Sequence, residues 1–142
     1  MNDPISVRLH PAPLDGAWAS EQVAGDDAGC SLLFLGTVRA LAGDGRRVLR
    51  LEYEAYAEMA EIELRSIAAD LRERHDLLRV AIEHALGVVP AGSASVAVAV
   101  SATHRRAVFA AVAEAMDALK TRAPLWKREC YEDGSAWIGQ GS

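Results

Sequence analysis

The chain has 142 residues, 51% apolar and 25% charged, with a formal net charge of −5. That length suits one domain with its own core, and the acidic balance excludes a general nucleic-acid binder, so any bound anion must be met by locally gathered cations. No apolar run is long enough to span a bilayer, and the first residues lack the charged-then-apolar layout of a secretory signal. Cys30 and Cys130 stand alone without C-x-x-C spacing, which argues against a zinc site and sets the expectation of a reducing, cytoplasmic environment.

In chain order, residues 5–10 alternate apolar and polar side chains and predict a short strand. Residues 14–25 suggest a short helix, with Asp15 as a cap and Gly25 past its end. Residues 30–39 are nearly continuously apolar, the pattern of a buried strand opening into a loop after Gly36. Residues 40–47, with two glycines and no periodicity, predict an exposed, mobile loop. Residues 48–56 alternate again, so 30–39 and 48–56 are expected to form a long hairpin. From Ala57 to about His75, Met59, Ile62, Ile67 and Leu71 recur at helical spacing. Residues 79–87 predict a strand with Val80, Ile82 and His84 on one face, and 93–101 a strand of period two after a turn. A second long helix over 104–120 is marked by Val108, Phe109, Val112, Met116 and Leu119, with Thr103 as its cap. Pro124 ends it, because a proline disfavours helical geometry in the residue before it. Residues 125–132 and 135–139 then read as closing strands around an Asp-Gly-Ser turn. The expected fold is therefore α+β: a single domain over 1–142 with a mixed, largely antiparallel sheet, two long helices and β-hairpins, α/β-hammerhead-like.

Three clusters carry chemistry. The stretch "LKTRAPLWKRE" places Lys120, Arg122, Lys127 and Arg128 around a proline and Trp126, a density of charge that is costly unless exposed or matched by an anion. A bend at Pro124 would turn both lysines toward one pocket, where a lysine can serve as proton acceptor or nucleophile. Taken alone, Lys120 also reads as a cation placed against the carboxyl end of a helix dipole, and Trp126 as a core residue. His104, Arg105 and Arg106 open a helix, where cations are unfavourable unless a negative ligand such as phosphate sits at the exposed amides; the alternative is that they point to solvent. Arg39 follows a buried strand and a glycine, and His84 reads as a satisfied interior histidine. Phosphate-loop, nucleophile-elbow and metal-spacing motifs are missing. The residues by themselves describe an α+β domain with an anion pocket lined by lysine, arginine and histidine.

Together, "FLGTVR", "LEYEAY", "HALG", "VSATHRRAVF" and above all "KTRAPLWKRE" with a later tryptophan resemble the large, catalytic subunit family of molybdopterin synthase (MoaE), in register over roughly residues 30–138. The resemblance implies a sulfurtransferase. It would convert cyclic pyranopterin monophosphate into the molybdopterin dithiolene, with sulfur delivered as the carboxyl-terminal thiocarboxylate of a small ubiquitin-like subunit. It implies a homodimer within a heterotetramer, no cofactor, no metal, no nucleic acid and no membrane. By matching position, Lys120 and Lys127 would be catalytic. Arg39, His104 and Arg105 would bind the substrate, the latter two reaching into a neighbouring subunit's site. Arg128 and Glu129 would complete the pocket, and Thr37 and Val38 would line it through backbone. Ala85 stands where family members often carry arginine, and Thr37 where lysine is frequent. The chain ends soon after Trp137, so a residue closing the pocket from that side is expected to be supplied differently or not at all. A non-catalytic module gripping a phosphorylated ligand or a ubiquitin-like tail is the alternative, and a nucleic-acid binder using the basic stretch is a weaker one.

Overall fold

The computed structural model describes residues 3–142. They form, in chain order, β1 (Ile5–Pro11), α1 (Ala17–Val23), β2 (Cys30–Thr37), β3 (Val48–Ala55), α2 (Ala57–Arg74), β4 (Arg79–Pro90), β5 (Ala94–Ala102), α3 (Arg105–Arg122), β6 (Leu125–Tyr131) and β7 (Ala136–Gln140). Seven strands make one sheet in the order β2-β5-β4-β3-β6-β7, with β1 pairing to β4 in parallel and every other pair antiparallel. The α+β expectation holds.

The layering follows from the side chains of β5. Val96, Val98 and Val100 point one way and join the main core with α2 and α3, while Ala97 and Ala99 point the other way toward α1. Small residues on that second face let Ala19 and Val23 of the short helix sit close to the strand. The period of two thus sorts large from small rather than dry from wet, because all of β5 is buried.

β4 carries the chain between the two halves of the sheet. Its residues Arg79–His84 pair with β5, and Gly87–Pro90 pair with β3. Gly87 stands at the handover with φ 81, a left-handed conformation that a side chain would strain. Beyond it lies a second, smaller core, built on β3, β4 and β6, of Leu14, Val38, Val48, Tyr53, Ala85, Val89, Ala94 and Tyr131.

Several expectations are corrected. The hairpin of 30–39 with 48–56 does not form: β2 pairs with β5, and β3 pairs with β4 and β6. The expected burial of β2 does not hold either: it is an edge strand with Leu33, Phe34 and Leu35 each more than a third exposed, while the alternating Leu51 and Tyr53 against Arg50 and Glu52 suit a half of the sheet with one wet face. The loop 40–47 is ordered by a bridge between Leu41 and Arg47 and by bonds from Ala42 N to Arg46 O and Gly45 N to Ala42 O. Met59, Ile62 and Phe109 are exposed, because the buried stripes run through other positions: Ala60, Leu64, Ile67, Ala68 and Leu71 in α2, and Val108, Ala111, Val112, Ala115 and Leu119 in α3. Thr103 does not cap α3, whose N-cap is His104 without a side-chain bond. Asp15 lies one residue before the N-cap Gly16 and accepts from Ala17 N at 2.9 Å. No helix among the described residues is long and apolar enough to cross a membrane.

Ala97→Leu should lift α1 off the sheet and lower stability by about 1–3 kcal/mol, the usual cost of overpacking, read as a reduced urea midpoint.

Candidate functional site

A cleft of about 550 Å³ opens where the two halves of the sheet meet. The end of β2 supplies Thr37, Val38 and Arg39, the last turns of α3 supply Met116 and Lys120, and β6 supplies Lys127, Glu129 and Tyr131. Tyr53, Arg46, Trp137 and Ser142 complete its walls. Both lysines therefore reach one hollow. Lys120 is there because α3 runs to Arg122; Ala123 then turns extended before Pro124, and Leu125 N donates to Ala123 O at 2.8 Å, starting β6 in the reverse direction. Lys127 and Glu129 are there because alternate residues of a strand share a face.

The same alternation separates the four cations of the opening stretch. Arg128 faces the other side of β6, half exposed and 3.9 Å from Glu52, so its placement in the pocket is corrected. Trp126 shares that outer face and is 47% exposed rather than in the core. Arg122 clamps α3 to α2, donating to Glu63 at 2.9 Å, Asp70 at 2.8 Å and Ser66 at 3.1 Å. Two cations are thus matched by carboxylates within the fold, and two are turned into the cleft.

Arg39, Arg46, Lys120 and Lys127 line the cleft against the carboxylates of Asp44 and Glu129. Arg46 is committed elsewhere: it bonds Asp44 at 2.8 Å and lies over the Tyr131 ring at 3.8 Å. Among the described residues no Asp or Glu lies at ion-pair distance from Arg39, Lys120 or Lys127. Lys127 Nζ donates to the main-chain oxygen of Ser142 at 3.3 Å. An acidic chain thus turns three cations without an Asp or Glu partner toward a single hollow.

Behind the wall, His84 is fully buried, with Nδ1 2.8 Å from Ala85 O and Nε2 2.9 Å from Ser142 Oγ. Burial, with the nearby Lys127 charge adding to it, lowers its pKa to about 4, so it is a neutral, satisfied interior histidine as expected. Tyr53, edge-on to that ring, and Tyr131 both have pKa values raised first by burial, with the Glu129 charge adding to it. Ala85, where relatives often carry arginine, is packed in the smaller core.

His104 and Arg105 lie at the opposite end of α3, about 24 Å along the helix axis from Lys120, and do not join this chain's own cleft. Sequence reasoning missed Arg46, Tyr53, Tyr131 and Ser142 as lining residues, because each depends on which strands become neighbours. Trp137 had a local signal. Its indole lies across Gly139, where an added Cβ would come within 2.0 Å of the ring, so the W-x-G spacing on one strand face gives the ring room to lie flat. Ser142 approaches the cleft from the side where a closing residue was expected to be absent or supplied differently.

Fold and cleft together define an α+β domain with an aromatic-walled cleft that gathers Arg39, Lys120 and Lys127. Residues 9–122 match the family described as MoaE protein. The chain is 44% identical over 120 residues to the human protein named molybdopterin synthase catalytic subunit, covering 84% of this chain and 63% of that one. It is 43% identical over 113 residues to the Bacillus subtilis (strain 168) protein of the same name, covering 80% and 71%. The crystal structure of molybdopterin synthase from Staphylococcus aureus matches with a TM-score of 0.85 at 29% identity, over 92% of this chain and 94% of that one. The chain spans about three fifths of the human relative's length. This chain belongs to the MoaE protein family.

The buried histidine sets a pH response. An unfolded imidazole titrates near 6.5 and this one near 4, so the unfolded state binds the proton first. Its contribution is complete above pH 6.5 and is lost as pH falls toward 4, by up to about 3 kcal/mol, and His84→Gln should flatten that slope in urea midpoints measured across the window.

Proposed function

We propose that this protein is the catalytic subunit of a molybdopterin synthase. It takes sulfur from the carboxyl-terminal thiocarboxylate of a small ubiquitin-like subunit and places it on cyclic pyranopterin monophosphate. The observation that carries this reading is the pair of lysines, Lys120 and Lys127, facing one cleft beside Arg39 without an Asp or Glu ion-pair partner. A phosphorylated substrate answers the charge, and an extended carboxyl-terminal tail suits a cleft open to solvent.

In this scheme Arg39 holds phosphate, and the aromatic walls of Tyr53, Tyr131 and Trp137 flank the ring system. One lysine hydrogen-bonds the thiocarboxylate carbonyl as negative charge develops there, an oxyanion-type role. The other moves protons at the carbon that accepts sulfur. Thr37, Val38 and Glu129 frame the site.

His104 and Arg105 enter through a second copy. β2 is an edge strand, and Leu33, Phe34 and Leu35 on it are each more than a third exposed. It begins at Cys30, paired with Ala102 just before His104, and ends at Thr37 in the cleft. Its eight residues span about 26 Å, close to the 24 Å separating His104 from Lys120. A two-fold partner laid antiparallel along this edge would bring its His104 end to this chain's cleft. That geometry supports a homodimer with shared sites, each carrying one small subunit.

Lys120→Ala should abolish dithiolene formation in a single-turnover assay with the thiocarboxylated small subunit, while the thermal unfolding midpoint stays unchanged. Undiminished product in that variant would sink the proposal, and ligand binding without product in the wild type would favour a non-catalytic binding module. Shared sites make a second prediction. Lys120→Ala and His104→Ala dimers, each inactive alone, should regain about a quarter of wild-type activity when subunits exchange, because one site in each mixed dimer is intact. No recovery after verified exchange would rule out a shared site.

A further inference from the structure

His84 takes no part in the steps above, yet it is joined to the cleft by a defined chain of bonds. Ala85 O can only accept, so Nδ1 carries the ring proton and Nε2 presents a lone pair. That lone pair receives the Ser142 hydroxyl proton at 2.9 Å. The main-chain oxygen of the same Ser142 accepts from Lys127 Nζ at 3.3 Å. One residue therefore connects a fully buried imidazole to a cleft ammonium.

Two further contacts make the connection stiff. The Tyr53 ring stands edge-on to His84, with centroids 4.8 Å apart at 74°, and Tyr53 is the register partner of Lys127 on the adjoining strand. The imidazole is thus held by its own donor bond and by an aromatic wall on the side nearest the lysine. Gly141 N donates to Leu125 O at 2.9 Å, and a Cβ on Gly141 would approach Lys120 O to 2.6 Å. Residues 141 and 142 are seated between the segments that carry the two lysines.

We propose that His84 is a positioning residue: through the Ser142 hydroxyl it fixes the main-chain oxygen that holds the Lys127 ammonium in the cleft. A lysine side chain otherwise samples many rotamers, and a fixed acceptor selects those that keep Nζ over the hollow. The imidazole suits this task because it anchors itself with one nitrogen and offers the other as an acceptor. An alkyl side chain of similar size would fill the space and leave Ser142 unanchored. The placement stands on the structure alone; its importance for turnover rests on the sulfur-transfer function proposed above.

The test reads Lys127 directly, by competitive acetylation of the full chain with trace acetic anhydride and peptide mass spectrometry, using Lys120 as internal reference. Ser142→Ala removes the hydroxyl and keeps the main-chain oxygen. It and His84→Leu should each raise Lys127 labelling about fivefold relative to Lys120, as expected when a charge-assisted bond is loosened. The double variant should show no more than either single change, because both break the same chain of bonds. Unchanged Lys127 labelling in Ser142→Ala, or additive effects in the double variant, overturns the proposal, and Ser142→Ala decides alone if His84→Leu does not fold. In turnover with the small subunit, Ser142→Ala should lower kcat about fivefold at constant KM. A wild-type protein with the labelling pattern but no turnover would count against the sulfur-transfer function and leave the tether supported.

Discussion

The reversal between α3 and β6 is the constraint on which the site depends. Pro124 cannot extend the helix, Ala123 goes extended, and the chain returns as a strand that pairs with β3. Within eight residues this brings a helix terminus and a strand face to one hollow, each with a lysine aimed inward. Without the reversal, Lys120 would be an ordinary cation at a helix end and Lys127 an ordinary strand residue. With it, two ammonium groups share a cleft in which neither is ion-paired to an Asp or Glu.

The surrounding structure keeps that charge unmatched. Carboxylates are abundant in this chain, but most near the site are paired with arginines: Glu63 and Asp70 hold Arg122, Glu52 holds Arg50 and approaches Arg128, and Asp44 holds Arg46 in the cleft wall. Each of these pairs is exposed and contributes little to stability by itself. Their effect is distribution. They neutralise Arg46 in the cleft wall and arginines outside it, while Arg39, Lys120 and Lys127 face the cleft without an Asp or Glu partner.

The two halves of the sheet divide the work. The half covered by α1, α2 and α3 is a dry core of valine, alanine and leucine, and it fixes where β2 and α3 end. The half built on β3, β6 and β7 is smaller and carries the aromatic walls. β4 belongs to both, so the cleft lies at their junction with a rigid strand beneath it. His84, on that strand three residues before the handover glycine, is buried where the two cores meet.

The sequence by itself determined the local elements with little error. The Val/Ala alternation of 93–101, the two long helical periodicities, the proline stop and the Asp-Gly-Ser turn each encode backbone geometry within a few residues, and the motif "KTRAPLWKRE" marked both lysines. It also made His84 readable as an interior residue, since an apolar strand face has no water to serve an imidazole. Tertiary structure decided what such short-range signals do not encode. A strand pattern says that a segment is extended and which residues share a face, but not which strand lies beside it; hence the mistaken hairpin of β2 with β3 and the unseen walls Tyr53, Tyr131 and Ser142. Helical periodicity likewise does not say whether the larger or the smaller apolar residues face the sheet. Here close packing selected alanines such as Ala60 and Ala111 and left Met59, Ile62 and Phe109 exposed. Nor could a run of four cations show its own division, because strand alternation and helix contacts, set by neighbours distant in the chain, turned two of them inward and two away.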